Sequence, residues 1–392
     1  MPAPLFARSW SVFAGVLCSL AAAGVQAQDQ GIRPQTIAAG LQNPWAVAFL
    51  PEGRFLVTEK VGRMRVVGAD GQVGAGVAGL PDIAPGGQGG LLDVALDSDF
   101  ERNRTLYFCY SEPAARGGGN STALARASLS LDFARLEDVK VLFSQKPKFA
   151  SSAHFGCRIV EGRAPGVNGR LDGTLFLTLG DRFSRKEDAQ TLDNHHGKIV
   201  RIRKDGSVPA DNPFVGKAGA LPEIWSYGHR NAQGATLSPD GALWTHEHGP
   251  QGGDEINLAR PGANYGWPVI TYGENYGGGK VGEGLSRQAG MEQPLHYWVP
   301  SIAPSGMAFL TSERYGKAWQ GNLFVGSLKF SYLDRIELSA PYGGQVLREH
   351  KLLTSLGERI RDVRQGPDGL LYVLTDSSNG KLIRLVPAQA GR

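Results

Sequence analysis

EIWSYGHRNAQGATLSPDGALWTHEHGPQGGDEINL, from Glu223 to Leu258, carries two short apolar runs around a tight reversal. The first run is Gly234-Ala235-Thr236-Leu237, the reversal is Pro239-Asp240-Gly241, and the second run is Ala242-Leu243-Trp244-Thr245. Two such runs joined by a Pro-Asp-Gly turn read as a β-hairpin. Polar knots flank it: Gly228-His229-Arg230-Asn231 before the first strand and Glu247-His248-Gly249-Pro250 after the second. Antiparallel pairing returns the chain to the end it left, so Arg230, Asn231, His248, Gly249 and Pro250 are expected on one face.

The same phrase recurs along the chain. Second strands of the same kind begin at Gly53, Asn103, Asp172, Gly321 and Asp368, each with a first strand just upstream: Trp45–Phe49, Gly90–Leu96, Gly156–Val160, Ser305–Leu310 and Ile360–Arg364. Third strands are visible at Gly62–Val67, Gly197–Ile202 and Gly380–Leu385, and a weaker outer strand completes each unit. Successive copies start ~45 to 80 residues apart, the span of a propeller blade with variable loops. The expectation is an all-β fold, a six-bladed β-propeller with four-stranded blades. A closed ring needs a strand that joins its ends, and the stretch near Arg33–Gly40 suits the last blade. Two β-sandwiches are the alternative, which six repeats in sequence disfavour.

Composition agrees. The chain has 392 residues, 54 of them glycine, and few segments with a helical apolar period. Residues 1–27 read as a secretory signal, with Arg8, an apolar run from Trp10 to Gly24, and Val25-Gln26-Ala27 before cleavage. That run is short for a membrane span. Cleavage leaves residues 28–392 as one propeller domain, periplasmic or secreted. The formal charge is +4 for the whole chain, and losing Arg8 lowers it by one. So mild a balance predicts neither nucleic-acid nor membrane partners. Cys109 and Cys157 remain, and either a disulfide or two buried thiols fits their positions in strands.

The residues just before each first strand, and just after each second, are expected around the central channel. These are Gln88, His154, Arg230, Asn231, Arg359 and Arg361, then Asp181, His248-Gly249-Pro250, Lys329 and Asp376. Three arginines and a lysine around one axis repel each other unless a polyanionic small molecule lies between them. His154 is placed to act as a general base when neutral. His195-His196 lack a partner at metal-ligand spacing and read as structural. The Gly249-Pro250 turn offers carbonyl oxygens to Ca²⁺, and Asp254, Glu255 and the Asn264-Tyr265-Gly266-Trp267-Pro268 stretch suggest a second oxygen site.

These motifs, GGQGG at Gln88, HFGCRI at His154, GHRNAQG at Arg230, EHGPQGGDEIN at Gly249, NYGWP at Tyr265, GSLK at Lys329 and ERIRDV at Arg359, occur in order over nearly the whole mature chain. The chain resembles the soluble pyrroloquinoline-quinone (PQQ)-dependent aldose sugar dehydrogenases, relatives of soluble quinoprotein glucose dehydrogenase. The resemblance implies oxidation of the C1 hydroxyl of aldoses to aldonolactones by hydride transfer to PQQ, electrons then passing to an external acceptor. It implies His154 as base with Arg230 beside it, and Gln88, Arg230, Asn231, Tyr276, Lys329, Arg359 and Arg361 around the tricarboxylate. It implies one Ca²⁺ on the carbonyls of Gly249 and Pro250, and a second, structural one at Glu255 and the backbone near Tyr265. Glucose dehydrogenases of this group carry Asp before the base, where this chain has Ala153, so carboxylate support for the base is expected to be missing. Two further readings stand beside it. One is a non-catalytic propeller that binds carbohydrate or protein; the other is a calcium-dependent sugar lactonase, which would need more carboxylate ligands and fewer cations.

Overall fold

The computed structural model describes Met1 and residues 31–116, 118–163 and 170–388; beyond Met1 the leader assigned to residues 1–27 lies outside the described residues. The hairpin quoted at the outset pairs Ala232–Leu237 with Leu243–Glu247, Ala235 opposite Thr245 and Leu237 opposite Leu243. Gly234 lies opposite His246, where a Cβ would come within 2.1 Å of the imidazole, so only glycine fits that place. Asp254–Ala259 and His296–Trp298 complete a four-stranded antiparallel sheet.

Five more sheets repeat the plan. The first blade runs Pro44–Phe49, Phe55–Glu59, Arg63–Val67 and Val73–Gly76 from axis to rim. The second runs Leu91–Leu96, Thr105–Pro113, Asn120–Leu129 and Leu136–Ser144. The third is Gly156–Arg163, Leu171–Leu179, Lys198–Arg203 and Ile224–Tyr227, and the hairpin blade is fourth. The fifth is Pro304–Phe309, Leu323–Ser327, Tyr332–Ala340 and Gly343–Leu352. The sixth takes Ile360–Gln365, Leu371–Thr375 and Gly380–Pro387 from one end of the chain and its outer strand, Ile32–Leu41, from the other. Thr36 pairs opposite Ile383, which closes the ring. The expected six-bladed, four-stranded propeller is the observed fold.

Each blade packs both faces on a neighbour, so the second strands bury every residue in Phe55–Glu59, Leu243–Glu247, Leu323–Ser327 and Leu371–Thr375. That two-sided burial is why these strands read as unbroken apolar runs. The core is a set of apolar layers between blades. One layer joins Trp45, Leu56, Leu91, Phe108, Leu124, Ile159 and Leu177; another joins Trp244, Ile256, Met307 and Val325. Cys109 of the second blade and Cys157 of the third are disulfide-bonded across such a layer, which settles the question left open by their spacing.

The axis itself is plugged by charge. Buried Arg158 donates through Nη1 to Asp93 Oδ1 (3.1 Å) and Asp362 Oδ1 (3.0 Å), and through Nε to the Gln233 carbonyl (3.3 Å). Arg364 joins the same two carboxylates. Asp362 also accepts from Val47 N–H and Asp93 from Ile159 N–H. The innermost strands of five blades are thus bolted together, and Trp45 lies flat against Arg158 at 4.4 Å. A network this buried holds only because each charge has a partner.

Candidate active site: a cationic cavity on the axis

A cavity of about 550 Å³ opens above this plug. Trp45, Leu92, Gly156, Gln233, Ala303 and Arg361 come from six different blades, so the cavity lies on the propeller axis. Its rim carries Lys60, Lys329, Arg359 and Arg361 against a single carboxylate, Asp376. Arg359 Nη2 and Arg361 Nη2 both bond Asp376 Oδ2, at 2.9 and 3.2 Å. The two arginines hold the Asp376 carboxyl down at about 2 despite its burial. The expected repulsion is therefore relieved in part by protein, leaving three positive charges in excess. Lys60 was not anticipated, yet it follows the second strand of its blade, the place Lys329 takes in the fifth. A larger cavity, about 970 Å³, lies among the turns at Glu52, Asp70 and Asp99, and holds none of the anticipated residues.

His154 precedes the third blade's inner strand and is almost fully buried. Its N–H donates to Gln88 Oε1 at 2.8 Å, and Asn231 Nδ2 reaches the same oxygen at 3.4 Å. Asn231 Oδ1 accepts from Gly156 N–H, so these amides tie the second, third and fourth blades at the cavity wall. The His154 ring makes a 2.5 Å contact from Nδ1 to Asp181 Oδ1. Asp181 is itself anchored by Phe183 N–H and by Trp267 Nε1–H, each at 2.8 Å. An ionised carboxylate can only accept, so Nδ1 carries the proton and Nε2 presents a lone pair. His154 therefore has a carboxylate partner: Asp181 supplies from the adjoining strand end what Ala153 lacks. Burial depresses the His154 pKa, Asp181 opposes, and the charges of Arg230 and Arg182 add to the depression. The imidazole is neutral at neutral pH.

Arg230 sits between the aromatic faces of Trp267 (5.2 Å) and Tyr276 (5.8 Å), and its Nη1 donates to the His248 carbonyl at 3.1 Å. Tyr276 is 62% exposed and stacks beside half-exposed Phe183 at 6.4 Å. Phe183 in turn meets the His154 ring edge-on at 5.2 Å. His154, Phe183, Tyr276 and Arg230 thus form a chain of neighbours, none of which lines the axial cavity itself. His248 donates Nε2–H to Pro304 O and is held neutral by burial. His229 stacks on Tyr265 at 4.6 Å and bonds Glu247. His195 and His196 are buried against Glu223 and Asp188, in the structural role expected of them.

The residues proposed for metals divide. Asp254 is engaged by backbone: Oδ2 accepts from Ile302 N–H, Ala303 N–H and Ser301 Oγ–H and Oδ1 from Gly249 N–H, so it shapes the Gly249-Pro250 turn. Glu255 differs. It lines a small cavity with Glu247, Gly249, Gly253 and Tyr265. Burial and the Glu247 charge push its carboxyl up to about 8. Two carboxylates lining one small cavity and sharing the Asn257 amide are what a cation would relieve. The Tyr265 hydroxyl is spent on the Leu258 carbonyl and Arg260 N–H, so only its backbone remains available. Among the described residues no cluster of three or more His, Cys, Asp or Glu side chains surrounds a metal position, so carbonyl oxygens would have to complete any such site.

A charged axial cavity with a buried, carboxylate-paired histidine nearby on a six-bladed propeller defines a class, and comparison places the chain within it. Residues 41–384 match the family model described as Glucose / Sorbosone dehydrogenase, and the chain belongs to that family. It is 45% identical over 350 residues to aldose sugar dehydrogenase YliI of Escherichia coli K12, covering 88% of this chain and 91% of that one. It is 28% identical to quinoprotein glucose dehydrogenase B of Acinetobacter calcoaceticus, over 90% and 87% of the two chains. The apo crystal structure of the soluble aldose sugar dehydrogenase from E. coli superposes with a TM-score of 0.84 at 42% identity, over 91% of this chain and all of that one. The PQQ-bound form of aldose sugar dehydrogenase from Streptomyces coelicolor superposes at 0.73 and 26% identity, over 92% and 99%.

Proposed function

We propose that residues 28–392 form a PQQ-dependent aldose dehydrogenase that oxidises the C1 hydroxyl of aldoses to aldonolactones. The observation that carries this reading is the match of charge: three excess positive charges in one axial cavity against a tricarboxylate. Lys329, Arg359 and Arg361, with Lys60, are placed to pair its carboxylates; Gln88 and Asn231 offer amides; Tyr276 and Arg230 offer a planar face and a charge. When bound, PQQ supplies a two-electron acceptor for hydride, and Ca²⁺ on the Gly249 and Pro250 carbonyls a Lewis acid. The paired Glu247 and Glu255 fit a second, structural Ca²⁺ with the backbone at Tyr265.

The chain's own part is proton and charge management. His154 Nε2 accepts the C1 hydroxyl proton as hydride leaves C1, and Asp181 stabilises the imidazolium that results. The Arg230 guanidinium, fixed by its aromatic stack and the His248 carbonyl, faces the charge that develops on reduction. Exposed Phe183 and Tyr276 border the sugar's approach. The buried Cys109–Cys157 disulfide supports a periplasmic or secreted location, and electrons leave to an external acceptor. No helix among the described residues is long and apolar enough to cross a membrane.

Reconstitution of the purified protein with PQQ and Ca²⁺, read by bleaching of an artificial dye acceptor, tests this directly. Turnover with aldoses that requires quinone, calcium and His154 together is the expected result. Quinone binding without reduction by any sugar would overturn the substrate class; absence of quinone binding would overturn the reading whole.

A further inference from the structure

The turn Asp181-Arg182-Phe183 holds the base at three places. Asp181 takes the ring Nδ1–H, and Phe183 closes on the ring edge. Arg182, between them, reaches the backbone that carries the ring. Its Nη1 donates to the carbonyls of Ala153 (2.9 Å) and His154 (3.3 Å), and its Nη2 to the Ser151 carbonyl (2.7 Å) and to Asn120 Oδ1. The guanidinium lies 3.7 Å over the Phe155 ring and is fully buried. Burial brings its pKa down to about 10, which leaves it charged at neutral pH.

The local backbone is committed to this arrangement. His154 (φ 52°), Arg182 (φ 60°) and Phe183 (φ 68°) all sit in the left-handed region that L-residues adopt at a cost. Gly180, just before the turn, packs so tightly that a Cβ would stand 2.2 Å from the His154 carbonyl oxygen. Strain on both sides of one contact persists only where surrounding bonds enforce it, and here the enforcing bonds are those of Arg182 and Asp181.

We propose that Arg182 is a positioning residue for the base: its guanidinium fork locks the Ser151–His154 backbone, and its fixed charge stands beside the imidazole that must stay neutral. The charged groups facing the ring are Asp181, Arg182 and Arg230, with Phe183 at its edge and Gln88 at the His154 backbone N–H as neutral neighbours. A planar fork that bonds several carbonyls at once is not reproduced by lysine, whereas the charge is. Two variants therefore separate the parts of the role. The proposal rests on His154 acting as the base, but half of its test does not.

Imidazole ¹⁵N titration of the apo-protein, with folding checked by near-UV circular dichroism, reads the charge. Arg182→Gln removes a cation and moves the His154 midpoint upward; Arg182→Lys leaves it near the wild-type value. Kinetics of the PQQ- and Ca²⁺-loaded protein read the fork. Both variants lose about tenfold or more in kcat, as a base displaced by a fraction of an ångström requires, while quinone Kd and sugar KM change less than about twofold. A wild-type titration and kcat in both variants, with only a lower melting temperature, would overturn the proposal. So would a fall in kcat matched by equal losses in KM and Kd, which would mean a collapsed cavity. If the wild-type protein turns over no sugar, the functional reading fails, and the titration still decides whether Arg182 sets the state of His154.

Discussion

At the residue scale, the proposed chemistry depends on which nitrogen of His154 holds a proton, and the contact with Asp181 decides that. Replacing Asp181 by Asn removes the charge that would steady an imidazolium and turns one of its two acceptor oxygens into a donor, so that the His154 Nδ1–H, Phe183 N–H and Trp267 Nε1–H can no longer all be accepted. The expected loss in kcat is about 10²- to 10⁴-fold, with quinone affinity unchanged. The pH profile adds a sign. A base works only when unprotonated, so kcat/KM of the wild-type protein falls as pH drops through a midpoint below the ordinary imidazole value of about 6.5. Asp181 raises the His154 pKa, so Asp181→Asn moves that acid limb lower, opposite to the shift expected of Arg182→Gln. A limb that stays in place in Asp181→Asn would show that the measured titration belongs to another group.

His154, Arg230 and Lys329 are readable in the chain because they are reactive types next to strand ends, where any propeller presents its loops. The support of His154 was not readable in the same way. Its neighbour in sequence, Ala153, offers no carboxylate, and the group that does the work comes from 27 residues downstream. Asp181 and Lys60 nonetheless stand just after second strands, so position within the blade was the available signal.

At the scale of elements, the Glu247–Glu255 pair lies on paired strands, Glu247 opposite Glu255 in register. Like charges directly opposed in a buried ladder destabilise it unless a proton or cation intervenes. Glu255→Gln, in EDTA, is expected to melt no lower than the wild type, because the amide is a neutral isostere of a carboxyl already held protonated. Added Ca²⁺ should raise the wild-type melting temperature and leave that of the variant unmoved. An equal rise in both proteins would place the calcium elsewhere. The Cys109–Cys157 bridge joins neighbouring blades across 48 residues of chain. Its removal as the double Ala variant is expected to cost about 2–4 kcal/mol in denaturant unfolding, with kcat retained.

Inner and second strands were legible because packing on both faces demands continuous apolar runs. Outer strands, apart from the closing stretch near Arg33–Gly40, were not. Leu136–Ser144 and Gly343–Leu352 are exposed along most of their length, so no apolar period marks them. Their place is set by hydrogen bonding to a strand already in the sheet.

At the scale of the whole molecule, the ring is closed by one strand. Ile32–Leu41 covers the edge of Gly380–Pro387, which would otherwise expose a row of unpaired N–H and C=O groups. Deleting residues 28–31 should leave a soluble protein with an unchanged melting transition. Deleting residues 28–41 should abolish the cooperative transition and yield aggregate. A soluble, cooperative protein from the longer deletion would mean the sixth blade is stable with three strands.

The sequence by itself determined the blade: six repeats of an apolar hairpin, the turns between them, and reactive residues held at strand ends. Local patterning is enough for this, since strand period and turn chemistry act over a few residues. Only the tertiary structure decided how those residues pair. That Arg359 and Arg361 share Asp376, that Asp93 and Asp362 bind Arg158 and Arg364 on the axis, and that Asp181 and Arg182 hold His154 are contacts between segments apart in the chain. Burial then makes each pairing obligatory, because a charge removed from water has to find its counterpart wherever the ring brings one within reach.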